Sequence, residues 1–232
     1  MTRLMLLLLF VASFIFFNIN YFLFSIFIGW LLSGIAVSCI YHRQIAHKLW
    51  QPRNKIIEYF CYLLMIASGQ GSPLSWAYVH RLHHKYTDQE RDPQSPITQS
   101  KWRTFFSYYK IEHAEIRLIR DLLQDKKIMY LHTHWNKFVC LYLIVLALIH
   151  PLLALYSGGV YVWCSLFVGI LNTWAHKQSN SDSHAQTLPA PILFWGESYH
   201  ATHHKSPFLL KQGTWDTGYW IISILKTSQT AK

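Results

Sequence analysis

Two long stretches without charged side chains dominate the hydrophobic pattern of this chain. No Asp, Glu, Lys or Arg occurs in residues 4–42 or in residues 138–176, and each stretch has 39 residues. A helix needs about 20 apolar residues to cross a bilayer, so each stretch is long enough for two passes joined by a tight turn. The pattern therefore predicts two transmembrane hairpins.

The polar and helix-breaking residues inside each stretch indicate where the hairpins turn. The first is expected to turn at residues 18–20, where two asparagines flank an isoleucine. The second is expected to turn around Pro151 and the triplet at residues 157–159, Ser-Gly-Gly. We therefore predict an all-α integral membrane protein with four transmembrane helices and a histidine-rich helical cap on the cytoplasmic side.

The remaining polar segments complete a single domain over residues 1–232. Its expected parts are a first hairpin at about residues 4–41, a polar segment at 42–136, a second hairpin at 137–175 and a second polar segment at 176–232.

Two helices are expected within the first polar segment. Residues 59–67 are apolar but too short to span, which predicts a helix in the membrane interface. Residues 101–128 read as an amphipathic helix. Its expected buried positions are Ile111, Ile116, Ile119, Leu122 and Leu123.

Composition and charge support a membrane location. Charged residues make up 14% of the chain, against about 25% in soluble domains. Both expected turns are uncharged, so the positive-inside bias places the termini and both polar segments in the cytoplasm. The net charge of +10 favours contact with anionic headgroups. Nucleic acid would suit this charge equally, but it does not explain the hairpins, so we expect no nucleic-acid partner.

Nine of the fourteen histidines fall into short clusters. On a helix, positions i, i+3 and i+4 share one face, so each HxxHH cluster can aim its imidazoles at a common point. Asn172 and His176 are four residues apart and stack in the same way. His42 and His47 are five apart, about 140° off one α-helical face, and therefore need a bent or ending helix. The clustered residues are His42, His47, His80, His83, His84, His176, His200, His203 and His204.

The number and type of these ligands predict a metal centre. Neutral imidazoles without cysteine suit a borderline first-row metal, and nine are too many for one ion. Two ions sharing eight or nine nitrogens is the economical solution. The other five histidines are interpreted as ordinary surface or interface residues: His113, His132, His134, His150 and His184.

These motifs resemble those of the membrane fatty acyl desaturases, in particular the acyl-CoA, delta-9 branch. The similarity is close in GSPLSWAYVHRLHHKYTD at residues 71–88, in DPQSP at 92–96 and in GESYH at 196–200. The order of hairpins and histidine boxes is similar over nearly the whole chain. Gln94 stands where many relatives have histidine, so that flank need not bind metal.

The resemblance implies roles for particular residues. The nine histidines would hold two iron ions, with Asn172 on the centre or beside it. Four residues would orient the histidines: Arg81, Asp88, Asp92 and Glu197. Trp76 occupies a position that the family uses near the acyl chain. The candidates for lining a substrate tunnel are Trp30, Trp76, Trp174 and Trp195, each equally suited to anchoring at the membrane interface.

The resemblance also implies a reaction in fatty acid biosynthesis. O2 would be consumed, and a cis double bond introduced into a saturated acyl chain. The expected substrate is acyl-CoA at the delta-9 position, with lipid-bound or carrier-bound chains as alternatives. The sequence shows no haem or iron–sulfur motif, so electrons would come from a separate carrier of ferredoxin or cytochrome b5 type.

Two other functions compete with desaturation. The same iron centre could hydroxylate a lipid tail, and hydroxylated products would reveal this. A histidine-rich metal transporter would instead place ionisable ligands inside its spanning segments, whereas the histidine clusters here lie at or beyond the cytoplasmic ends.

Overall fold

The computed structural model describes residues 2–109, 111, 114–176 and 185–227, and every regular element in these residues is helical. The all-helical prediction is therefore confirmed for this part of the chain. The helices are α1 (Thr2–Ser13), α2 (Ile19–Leu32), a π-helix (Ser33–Ala46), α3 (Lys55–Ser68), α4 (Pro73–Tyr86), α5 (Lys101–Phe105), a 3-10 helix (Ile116–Ile119), α6 (Arg120–Leu123), α7 (Lys126–Thr133), α8 (Trp135–Ile149), α9 (Pro151–Trp174), α10 (His200–Lys205) and α11 (Thr217–Leu225).

Two helices in the described residues are long and apolar enough to cross a membrane. The first runs over Ile19–Ala46 and consists of α2 and the π-helix, and the second is α9. Helices α7 and α8 form a third candidate if they count as one span, although a 70° bend separates them. Helix α1 is apolar but has only 12 residues.

The π-helix is the departure from α geometry that the spacing of His42 and His47 requires. A π-helix closes each turn with a hydrogen bond over five residues rather than four. At its end the backbone N–H of His47 donates to the carbonyl of His42 at 3.0 Å. The two imidazoles consequently lie near each other, with ring centroids 4.8 Å apart.

The chain turns at His150, next to the expected position Pro151, whereas the turn also expected at residues 157–159 is wrong because these residues lie inside α9. Pro151 opens α9, and the backbone N–H of Leu152 donates to Nδ1 of His150. Helix α9 then continues through Gly158, where a Cβ would lie 2.4 Å from the backbone nitrogen of Phe10. The small residues therefore allow α1 to approach α9 closely instead of breaking the helix.

The segment expected to be one amphipathic helix is divided into short pieces. A turn with Ser107 at φ 53° follows α5, and only four residues of 3-10 helix precede α6. Ile119 and Leu122 are buried as expected, whereas Ile111, Ile116 and Leu123 are exposed. Without a continuous helix the five positions do not share one face.

Candidate metal centre

The clustered histidines meet where the π-helix and α9 end against α4 and α10. Helix α4 begins at Pro73, and the hydroxyl of Ser72 accepts the backbone N–H of Ser75 as an N-cap. The nine imidazoles form two groups, in each of which the potential ligand atoms lie within 4.8 Å of one another. We name these the five-histidine group (His42, His47, His80, His84 and His203) and the four-histidine group (His83, His176, His200 and His204).

Each HxxHH motif contributes to both groups. On α4, His80 and His84 belong to the five-histidine group, whereas His83 belongs to the other. Helix α10 divides in the opposite sense, since only His203 joins the five-histidine group. Positions i and i+4 lie about 40° apart around a helix, whereas i+3 and i+4 lie about 100° apart. The spacing predicted that the histidines of each HxxHH motif point at one common site. In the structure they point at two adjacent sites instead.

The histidines face one another through their Nε2 atoms. Several of these atoms are separated by no more than an ordinary hydrogen-bond distance. The Nε2–Nε2 separations include 2.8 Å for His47–His80 and for His176–His200, 3.0 Å for His42–His203 and 3.2 Å for His83–His204.

Buried carboxylates lie behind three of these rings. The contacts are His42 Nδ1–Glu197 Oε2 at 2.9 Å, His83 Nδ1–Asp92 Oδ2 at 2.8 Å and His176 Nδ1–Asp88 Oδ2 at 2.6 Å. A carboxylate acceptor holds the hydrogen on Nδ1 and leaves the Nε2 lone pair facing inward. Two inward lone pairs about 3 Å apart repel each other unless a cation lies between them. The donor set therefore fits bound metal ions.

Burial keeps six of the clustered imidazoles outside the membrane spans neutral. Desolvation, followed by the nearby His42, lowers the pKa of His47 to about 2. Burial and neighbouring histidines likewise lower the pKa of His80, His84, His200, His203 and His204. For Glu197, burial raises the pKa, but His42 and Arg43 outweigh it and bring the pKa to about 2. Neutral imidazoles and ionised carboxylates are the forms that metal binding requires.

Two adjoining cavities open beside the histidines. The first has a volume of about 50 Å³ and an apolar wall that includes Val37 and Phe167. The second, of about 320 Å³, extends to Arg3 and Tyr109. The residues common to both linings are Trp76, His80, Gln94, Val168 and Asn172.

A family model described as fatty acid desaturase matches residues 17–210 of this chain. The chain belongs to the fatty acid desaturase family. The resemblance seen in the histidine motifs is thereby confirmed.

Curated relatives named desaturases match most of the chain. The sn-1 stearoyl-lipid 9-desaturase of Anabaena variabilis is 26% identical over 202 residues, which cover 79% of this chain and 71% of that protein. The sn-2 palmitoyl-lipid 9-desaturase of Nostoc sp. (strain 36) is 26% identical over 228 residues, 89% of this chain and 79% of the relative. Acyl-CoA desaturase 1 of Saccharomyces cerevisiae is 26% identical over 82% of this chain but only 40% of its own length.

Four residues were expected to orient the histidines. Arg81 is the one of these for which no contact with a histidine is described. Its guanidinium donates to the backbone carbonyls of Ile45 and Ala46 and pairs with Asp121 at 2.6 Å. Arg81 therefore holds the end of the π-helix next to His47. Asp88, Asp92 and Glu197 instead contact imidazoles directly.

Asn172 lies on α9 one turn before His176 and lines both cavities. Its Nδ2 donates to the hydroxyl of Tyr109 at 3.3 Å. Nearby, the buried Oε1 of Gln94 and Nδ1 of His200 have no partner among the described residues. Buried polar atoms of this kind require a partner, which a ligand or ordered water would supply.

The four tryptophans divide between the cavities and the surface. Trp76 stacks on His80 with centroids 5.1 Å apart, and Trp195 lines the first cavity. Trp30 lies behind Trp195, and Trp174 is 53% exposed beside Phe105. Trp30 and Trp174 line neither of the two cavities described above.

The remaining histidines lie away from both groups or outside the described residues. His132 contacts the hydroxyl of Ser72 at 2.6 Å, at the start of α4. His134 contacts the carbonyl of Tyr130, and His150 caps α9. His113 and His184 lie outside the described residues.

Sequence reasoning missed three residues that reach the centre from outside. Arg43 is fully buried between Glu197 and Asp216, and Gln212 contacts His203. Arg43 carried a signal, since it is the first charged residue after a charge-free span and it adjoins His42. Gln212 and Asp216 belong to no recognisable motif.

Proposed function

We propose that this chain is an oxygen-dependent fatty acyl desaturase that introduces a cis double bond at the delta-9 position of a saturated acyl chain. The observation that carries the proposal is the convergence of nine histidines, six buried and three half-buried, beside an apolar cavity. Relatives named 9-desaturases support the position of the double bond. Their names include both lipid-bound and CoA-bound chains, so the carrier is a target of the experiment below.

The histidines would hold two irons, one in each group, with Asn172 completing the four-histidine group directly or through water. An unactivated methylene offers no acidic proton, so the bound irons and O2 supply the oxidising chemistry. The chain itself binds and orients the substrate. Trp76, Val37 and Val168 form apolar walls that hold the acyl chain and exclude water, while Asn172 is fixed by Tyr109.

We propose four membrane passes with both termini, the histidines and the docking side for a separate electron carrier in the cytoplasm. Helix α1 and the bent pair α7–α8 would supply the two passes beyond the two long helices. The uncharged turns at residues 18–20 and at His150 support this orientation.

The test is the fatty acid profile of a host that lacks its own desaturase and co-expresses an electron donor. We expect a new cis-monounsaturated acid, located by derivatisation and gas chromatography–mass spectrometry, in cells expressing the wild-type chain. His83→Ala should abolish it, because His83 lies in the four-histidine group, whereas His132→Ala should retain it. Pulse-labelling of CoA and glycerolipid fractions identifies the carrier.

Hydroxylated chains in place of unsaturated ones would contradict desaturation and favour a hydroxylase. Purified wild-type protein that binds no iron would contradict the metal assignment.

A further inference from the structure

We propose that Arg43 is a positioning residue for the five-histidine group and that a separate pair of carboxylates serves the four-histidine group. The inference rests on the proposed metal centre. It assigns a role to Arg43, Gln212 and Asp216, none of which is among the residues that the sequence predicted to orient the histidines.

Every nitrogen of the Arg43 guanidinium donates a hydrogen bond, and the residue is 0% exposed. Nε and NH2 each lie 3.1 Å from Glu197 Oε1, and NH1 lies 2.9 Å from Asp216 Oδ1. NH1 and NH2 also donate to the backbone carbonyls of Leu210 and Trp195. A planar donor with this many fixed partners holds both carboxylates in one geometry.

The first connection runs through Glu197 to His42. Oε1 of Glu197 accepts from Arg43 and from the hydroxyl of Ser38, which leaves Oε2 directed at Nδ1 of His42, 2.9 Å away. Because Arg43 fixes one oxygen, the other is available to hold the hydrogen on Nδ1. The Nε2 atom of His42 then faces the five-histidine group.

The second connection runs through Asp216 to His203. Oδ2 of Asp216 accepts the backbone N–H of Gln212 at 2.8 Å, and the side-chain amide of Gln212 lies 3.3 Å from Nδ1 of His203. The amide oxygen Oε1, which is buried without a partner among the described residues, can take the place of Nε2 by a flip of the amide, accept the hydrogen of Nδ1 and leave the Nε2 lone pair of His203 free. The packing is tight, since a Cβ on Gly196 would lie 2.2 Å from Asp216 Oδ1. Both connections therefore end on histidines whose Nε2 atoms are 3.0 Å apart.

The four-histidine group has its own buried carboxylates. Asp88 contacts His176, and Asp92 contacts His83. Asp92 Oδ2 also accepts the backbone N–H of Asp88, and the hydroxyl of Ser95 donates to Asp88 Oδ1. The described hydrogen bonds and ion pairs of Arg43 include no residue of this second network.

The positive charge of Arg43 explains why a neutral side chain at position 43 cannot hold the two carboxylates. Arg43 places one positive charge between two buried carboxylates, which leaves a single net negative charge behind the five-histidine group. Removing the guanidinium would leave Glu197 and Asp216 buried without their cation. The two carboxylates would then no longer be held in one geometry, and His42 and His203 would lose their orientation.

The experiment measures metal binding to the purified full-length chain rather than turnover. Metal-free protein is titrated with Co²⁺ under anaerobic conditions, and site occupancy is followed by visible absorption and by metal analysis. We expect two sites in the wild type. Arg43→Gln should weaken one site by about 10- to 100-fold, the usual effect of losing a group that orients a ligand, and leave the other within about twofold. Arg43→Lys, which keeps the charge, should recover part of the loss.

Double variants identify which site is affected. Adding His47→Ala to Arg43→Gln should weaken the same site further and leave the other site unchanged, because both residues act on the five-histidine group. Adding His204→Ala should remove the remaining site. Asp92→Asn is the matched control, since it also alters a buried carboxylate network but should weaken only the four-histidine site.

Three outcomes overturn the inference. In the first, Arg43→Gln binds two Co²⁺ ions as tightly as the wild type. In the second, it loses both sites together, and in the third Arg43→Lys restores nothing. If the wild type binds no metal, the proposed function itself is contradicted. This result differs from the three above, so a failure of the inference and a failure of the proposed function can be told apart.

Discussion

Single side chains decide the protonation state of the centre. Asp88, Asp92 and Glu197 each face the Nδ1 atom of one histidine, while burial keeps other imidazoles, such as those of His47 and His80, uncharged. The same burial has a cost in the metal-free protein. Neutral histidines that cannot accept protons in the folded state can accept them freely once the chain unfolds.

The metal-free protein should therefore lose stability as the pH falls below about 6.5. The unfolded chain takes up protons near the ordinary histidine pKa of 6.5, whereas the folded pKa of His47 is about 2 because of burial. A lowered folded pKa means that the full contribution is present above pH 6.5 and declines as the pH falls towards the folded value. Unfolding midpoints of chelator-treated protein in detergent, measured from pH 7.5 to 5.5, check this.

A midpoint that stays constant over that range would show that the imidazoles titrate normally in the fold. The window lies above the ordinary carboxylate range, so acidic residues contribute little to the change.

At the scale of elements, small residues and helix type position the centre. The π-helix brings His42 and His47 together, and glycines in α9 allow its neighbours to pack closely. A Cβ on Gly158 would lie 2.4 Å from the backbone nitrogen of Phe10 and 2.5 Å from the carbonyl oxygen of Leu6. Backbone atoms of α1 cannot turn aside as a flexible side chain can, so the helices themselves would have to separate.

Gly158→Ala should destabilise the protein by about 1–3 kcal/mol, the usual cost of overpacking a close interface. The measurement is reversible unfolding in mixed micelles, with metal content determined on the folded fraction. Leu148→Ala is the control, because Leu148 is 82% exposed on α8 and its truncation should change stability little. Equal effects of the two substitutions would contradict the close approach of α1 and α9.

At the scale of the whole molecule, the proposed orientation depends on charge and on the number of membrane spans. Two described helices are long enough to cross a membrane, and the bent pair is a third candidate. Helix α1 has 12 residues, about 18 Å at 1.5 Å per residue, against a hydrocarbon core of about 30 Å. A fourth pass by α1 therefore requires local thinning of the bilayer or flanking residues that extend into it.

Impermeant maleimide labelling of intact cells tests the orientation. Asn20→Cys and His150→Cys, at the two uncharged turns, should be labelled from outside. Lys205→Cys, at the end of α10, should react only after permeabilisation because the histidine cap is expected in the cytoplasm. Wild type is the background control, since three native cysteines are buried and Cys140 is half-buried. Labelling of Lys205→Cys in intact cells would reverse the proposed topology.

Local patterns in the sequence were sufficient for the helical class, the apolar stretches and the nine histidines, because periodicity and spacing report on neighbours along one helix. They located the turn at Pro151 but extended it wrongly to residues 157–159, since Gly158 and its flanking residues suit a turn and a close helix contact equally well. The division of the histidines into groups of five and four is seen only in the tertiary structure. The same is true of the ion pair between Arg43 and Asp216, which are 173 residues apart in the sequence. Such contacts depend on how helices pack, and no spacing along the chain encodes them.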